Sequence, residues 1–285
     1  MKPQVRAFFD PATYTLTYVV YDKATKDAVI IDPVWDYDPA ASVLNDKSVK
    51  DVVQFISEEK LNPHYVLETH AHADHLSGSQ IFKKYYPNIK VAIGENITEV
   101  QKVFKMLFNL EAQFDTEGKQ FDLLLKDKST LTAGSLKIET IFTPGHTPAC
   151  ASFVIGDTVF TGDALFMPDY GTGRCDFPAG SSEALYDSVK KLYQLPDETR
   201  VFVGHDYQPG GRGVEYETTI GESKRNNIQI KAETTKQDFV DFRNRRDKTL
   251  AAPKLLLPSV QVNINAGKLP QAENNGVPYL KIPLR

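Results

Sequence analysis

Thr69-His70-Ala71-His72-Ala73-Asp74-His75 decides the reading of this chain. It follows residues 65–69, which read as a buried strand. A strand that ends in a loop delivers His70 and its neighbours to a sheet edge, where α/β proteins place their chemistry. His70 and His72 are two residues apart, so an extended backbone turns both to one side. Three further segments behave alike. Thr143-Pro144-Gly145-His146-Thr147 follows a predicted strand at 136–142. Phe160-Thr161-Gly162-Asp163 ends a strand at 158–160, and Gly204-His205-Asp206-Tyr207 ends one at 201–203. Five of the six histidines lie in these segments. Only His64 is left over, and it reads as a packing or surface residue.

Imidazole and carboxylate together select first-row transition metals. Two arrangements fit the residues. Two metals would use His70, His72 and His146 for one ion, Asp74, His75 and His205 for the other, with Asp163 between them. One metal would use His70, His146 and Asp163 alone, a set with open positions of the kind non-haem iron(II) prefers. Asp206 reads as a supporting carboxylate. Cys150 and Cys175 fall outside any ligand spacing and read as buried thiols.

The 285 residues, 41% hydrophobic and 25% charged, describe an ordinary globular chain. Two cysteines are too few for a disulfide framework. A net charge of −4 gives no basic footprint for nucleic acid. No run is long and apolar enough to span a membrane, and residues 1–6 lack a signal-peptide pattern. The expected compartment is therefore the cytoplasm.

Strand and helix signals alternate over the first two thirds. Strands are expected at 14–21, 28–31, 65–69, 90–93 and 152–155. Helices are expected at 49–56, 77–85, 96–110 and 182–193, with Asn96 as a cap and Glu99 reaching back to it. Residues 215–231 and 236–250 read as charged helices. The tail from 253 onward holds five prolines and reads as an extended segment wrapped on the domain. The division expected is a catalytic domain at 1–250 and an extension at 251–285 packed on it.

H-x-H-x-D-H, then G-H, G-D and G-H in this order, resembles the metallo-β-lactamase superfamily over about residues 14–231. The resemblance implies a four-layer αββα sandwich with the metal at one edge of its two sheets. Within the superfamily, Gly171-Thr172-Gly173-Arg174-Cys175-Asp176-Phe177 and His205-Asp206-Tyr207 resemble persulfide dioxygenases. Residues 258–263 and 275–283 resemble a bacterial subgroup described as β-lactamase-like hydrolases. That branch implies one iron(II) per chain on His70, His146 and Asp163. It implies glutathione persulfide, or another thiol persulfide, and dioxygen as substrates, with sulfite and thiol as products. His72, Asp74, His75 and His205 would then support the ligands without all binding metal. Arg174 suits a substrate carboxylate through its planar fork. Asp176 would orient Arg174 or the Tyr207 hydroxyl, and Tyr207 would line the substrate. The tail would suit a homodimer. Two alternatives stand beside this: a dinuclear zinc thioester hydrolase of the glyoxalase II type, and a metal- or thiol-binding sensor without turnover.

Overall fold

The computed structural model describes residues 2–284. One six-stranded sheet runs in the order β1 (Gln4–Asp10), β2 (Thr15–Tyr21), β3 (Asp27–Ile31), β6 (Asn62–Glu68), β8 (Lys90–Gly94), β9 (Leu123–Leu125). The second runs β10 (Thr130–Ala133), β11 (Leu136–Phe142), β12 (Ala151–Ile155), β13 (Thr158–Phe160), β14 (Arg200–Phe202), β15 (Glu217–Thr219). A small third sheet joins β4 (Val34–Asp38) to β5 (Val43–Asn45) and β7 (Leu76–Ser77).

Side-chain alternation along the strands builds the layers. Leu16, Tyr18 and Val20 of β2 pack in one core with Phe153, Ile155 and Phe160 of the second sheet. Val19, between them, points the other way and joins Val49, Val52 and Ile56 of α1 (Lys47–Glu58). The same outer core holds Ile81 and Phe82 of α2 (Ser79–Tyr85) and Val100 and Phe104 of α3 (Ile97–Leu107). Strands buried on both faces need apolar residues at every position, which is why 28–31 is an unbroken run. On the far side, Leu185, Val189 and Leu192 of α4 (Ser182–Leu192) cover the second sheet. Ile220 of α5 (Ile220–Asn226) and Phe239 of α6 (Lys236–Asp247) join them. Helix, sheet, sheet and helix make the αββα sandwich. Each fully buried aliphatic side chain contributes roughly 1.5–3 kcal/mol.

Three local expectations differ from the structure, and one strand, β1, carries no clear signal in the sequence. Asn96 stands at the N-cap of α3, but its side chain makes no capping bond; its amide donates to the Pro148 carbonyl at 3.3 Å instead. Residues 215–231 are not one helix. Glu217–Thr219 pairs with β14 as an edge strand, and only Ile220–Asn226 is helical, started by the Thr219 hydroxyl, which accepts from the Glu222 N–H. Strand β1 pairs along the whole of β2, although its residues show little burial contrast. The tail is not extended throughout. Residues Leu256–Asn263 form α7, with Val260 packed into the core beneath α3. Pro258 stands in the first turn of α7, where its missing N–H leaves no ladder bond unmade. Counting prolines therefore misled where their position did not.

Candidate metal centre

Strand ends gather the donors. β3 and β6 are parallel neighbours, with Ile31 opposite Leu67, so Asp32 emerges beside Thr69. The Asp32 carboxylate accepts the Thr69 N–H and the Thr69 hydroxyl, each at 2.7 Å. This fixes the backbone at the entry to His70. β13 and β14 are also parallel, with Phe160 opposite Phe202, so Asp163 and His205 leave the second sheet at the same end. The Gly204 N–H donates to the Gly162 carbonyl at 3.2 Å. Gly162 has φ +49°, and a β-carbon there would stand 2.5 Å from Thr69 Oγ1, so only glycine lets the two sheet edges meet. Gly145, at φ +144°, sets the turn before His146 against the backbone of Leu185.

The result is a buried cluster. One donor atom each from His70, His146 and Asp163 lies within 4.8 Å of the others, and the three residues are 1%, 4% and 6% exposed. His146 Nε2 is 3.5 Å from Asp163 Oδ2. The far side of each ring is spoken for. His146 Nδ1 donates to the Arg174 carbonyl at 2.7 Å, and His70 Nδ1 lies 3.0 Å from Thr69 Oγ1. Each Nε2 is thereby left for the centre of the cluster. Burial, with His72 and His146 close by, holds the His70 imidazole well below its usual range, in the neutral form that binds metals.

A second group stands beside the first. Donor atoms of His72, Asp74 and His75 also lie within 4.8 Å of one another. His205 Nε2 sits 3.4 Å from both Asp163 Oδ1 and Asp74 Oδ2, between the groups. Asp74 Oδ2 is already engaged by His75 Nδ1 at 3.0 Å and the Thr15 hydroxyl at 3.2 Å. His72 Nε2 faces away, 3.1 Å from Asp32 Oδ1 and 3.4 Å from Glu68 Oε2, without a directed hydrogen bond to either. Burial alone would lower the His72 imidazole; Asp32 and Glu68 outweigh it and hold it well above its usual range.

The residues fit a metal. His70 Nε2 and Asp163 Oδ1 are buried with no hydrogen-bond partner among the described residues. Such orphans are costly unless a cation satisfies them. Two imidazoles and a carboxylate suit iron(II) or zinc.

The Arg174 fork is engaged. Its Nε and Nη2 donate to Asp176 at 2.6 and 2.7 Å, its Nη1 donates to the Ala251 carbonyl at 2.6 Å, and the guanidinium lies over the Phe177 ring. Asp176 therefore orients Arg174, and no hydrogen bond joins it to Tyr207. Tyr207 stacks on His205 and Tyr170, with ring centroids 5.5 and 4.7 Å away. Burial, then Asp163 and Asp74, push its phenol well above the usual range, so it stays a proton donor. Asp206 is buried and takes both Nη groups of Arg212 and the Glu215 N–H. His64 pairs with Asp27 at 2.7 Å, far from the cluster in the fold. Cys150 is buried, and burial pushes its thiol up to about 12.

Sequence reasoning missed Asn263. Its amide donates to the carbonyls of His72 at 2.8 Å and His75 at 2.7 Å, and its oxygen accepts the Ser77 N–H at 2.8 Å. One buried side chain from α7 thus holds the histidine loop by its backbone. A polar residue inside Val260-Gln261-Val262-Asn263-Ile264 was the only available signal.

The Metallo-beta-lactamase superfamily model matches residues 10–205. The chain belongs to that superfamily. It is 48% identical over 284 residues to "Glyoxylase B2" of Dictyostelium discoideum, covering 99% of this chain and 97% of that one. It is 33% identical over 206 residues to "Persulfide dioxygenase ETHE1, mitochondrial" of Homo sapiens, covering 71% of this chain and 68% of that one. The crystal structure of ETHE1 from Myxococcus xanthus superposes with a TM-score of 0.74 at 31% identity, over 93% of this chain and all of that one.

Asn263→Ala should leave two buried carbonyls and one N–H unpaired at the histidine loop. The expected cost is at least about 2 kcal/mol in denaturant unfolding, with weaker metal uptake by the folded protein. Unchanged stability and uptake would show that the loop holds itself.

Proposed function

We propose that this chain is an iron-dependent persulfide dioxygenase, oxidising the persulfide of glutathione or a similar small thiol to sulfite. The observation that carries the reading is the separation of the donors. Donor atoms of His70, His146 and Asp163 converge within 4.8 Å, and His70 Nε2 and Asp163 Oδ1 have no hydrogen-bond partner, whereas Asp74 beside them is occupied by Thr15 and His75. The relatedness to a persulfide dioxygenase over 206 residues supports it. So does the Arg174-Cys175-Asp176-Phe177 segment next to the centre.

His70, His146 and Asp163 would hold one iron(II), which when bound supplies the electron chemistry for dioxygen and persulfide. The chain's own residues do the rest. Thr69 and the Arg174 carbonyl set the histidine tautomers. Tyr207, protonated and stacked over His205, offers a hydroxyl to an anionic sulfur or to oxygen. Arg174, held in place by Asp176, presents its remaining N–H groups to a carboxylate of the carrier thiol. Burial of the cluster keeps bulk water from competing with two oriented reactants. One persulfide, one dioxygen and one water then balance one thiol, one sulfite and two protons.

A second reading has its own observation. His75 Nε2 and His72 Nδ1 are also buried without partners, and His205 stands between the groups. With a second metal the same residues would serve thioester hydrolysis by metal-activated water.

His70→Ala, His146→Ala and Asp163→Ala should each lose tight metal binding. The iron-loaded protein should consume dioxygen and release sulfite with glutathione persulfide, and turn over S-lactoylglutathione poorly. Efficient thioester hydrolysis without oxygen uptake on any persulfide would replace this reading with the second.

Arg174→Ala should keep its metal, because the contact to His146 is made by the backbone of residue 174. Its Michaelis constant for the persulfide should rise by a factor equivalent to roughly 1.5–3 kcal/mol. An empty metal site in this variant would make Arg174 a scaffold residue.

A further inference from the structure

The Arg174–Cys175 peptide bond is gripped at both ends. Its carbonyl accepts from His146 Nδ1 at 2.7 Å, and its N–H donates to Asp247 Oδ2 at 2.8 Å. Asp247 ends α6 and is buried, 5% exposed. Its other carboxylate oxygen accepts from Arg243, one turn back on the same helix. Arg243 in turn donates from Nη1 to Gln229 Oε1 at 2.8 Å and lies 3.3 Å from the Thr172 carbonyl. Gln229 accepts from the Thr172 N–H and donates to the Tyr170 carbonyl.

This arrangement is costly as a mere staple. A buried ion pair often stabilises no better than apolar residues of the same volume. Spending one carboxylate oxygen on a single peptide N–H needs another explanation, and the peptide supplies it. Hydrogen bonds in a chain polarise one another, so an anion on the N–H side makes the carbonyl on the other side a stronger acceptor. That carbonyl is the partner of His146 Nδ1. Metal-bound histidines are commonly oriented and strengthened by a carboxylate on the outer nitrogen. Here the carboxylate stands one peptide further out.

We propose that Asp247 is a positioning residue for the metal ligand His146, acting through the Arg174–Cys175 peptide to fix its ring and strengthen Nε2 as a donor. Arg243 holds the Asp247 carboxylate in the orientation this requires. The inference rests on His146 being a ligand, as proposed above.

Cobalt(II) titration of the full chain tests it, read by affinity and by the visible ligand-field spectrum. Asp247→Asn keeps the shape and removes the charge. It should fold, bind cobalt about 10–100-fold more weakly and shift the ligand-field bands. Asp197→Asn, at an exposed pair with Lys224, should change neither. Folded Asp247→Asn with affinity within about twofold of the parent and the parent spectrum overturns the proposal. His146→Ala separates the two claims. If it too binds cobalt like the parent, the ligand assignment has failed; if it alone loses cobalt, the relay has failed. Should Asp247→Asn not fold, the 15N-labelled parent carries the test. Zinc binding should move the Cys175 amide resonance well beyond those of Gly171 and Phe177, and a stationary Cys175 amide overturns the relay.

Discussion

Two parallel strand pairings, β3 with β6 and β13 with β14, set where the donor atoms stand. Each pair ends in register, so the residues just past the strands are neighbours whatever their separation in sequence. The first pairing brings Asp32 to Thr69 and so fixes the entry to the histidine loop. The second brings Gly162-Asp163 against Gly204-His205. A one-residue slip in either would turn every donor to the opposite face, because side chains alternate along a strand. The packing of both sheets on all faces forbids that slip, and in this sense the apolar core specifies the metal site.

The gathered groups carry a cost that the fold meets locally. Asp32, Glu68, Asp163 and five histidines share a small volume that is almost wholly buried. Uncompensated charge in such a place is worth several kcal/mol against folding. Much of it is answered by protein partners: Thr69 for Asp32, Ser77 for Glu68, Thr15 and His75 for Asp74. What is left unanswered at the cluster is His70 Nε2, Asp163 Oδ1 and the second oxygen of Glu68, with His72 and His75 alongside. A cation at the first of these positions relieves the remainder and couples metal binding to stability.

The fold and the donors were legible because their signals are local. Strand runs, helical spacing and four short histidine or aspartate motifs each occupy a few consecutive residues. The supports were not legible, because each is a contact across the chain. Asn263 reaches His72 and His75 from 188 or more positions away, and Asp247 reaches Cys175 across 72. Nothing in Phe242-Arg243-Asn244-Arg245-Arg246-Asp247 tells a solvated charged helix from one that buries Arg243 and Asp247. The helix α7 was hidden for a different reason, since proline breaks a helix only beyond its first turn. The proposed division of one motif between ligands and supporting residues comes from the family resemblance and not from spacing.

Metal content of protein purified without oxygen tests the central claim most directly. The account predicts about one iron per chain, in a site open enough for nitric oxide to bind and give an electron paramagnetic resonance signal. Two tightly held zinc ions per chain, with no iron taken up in their place, would contradict it.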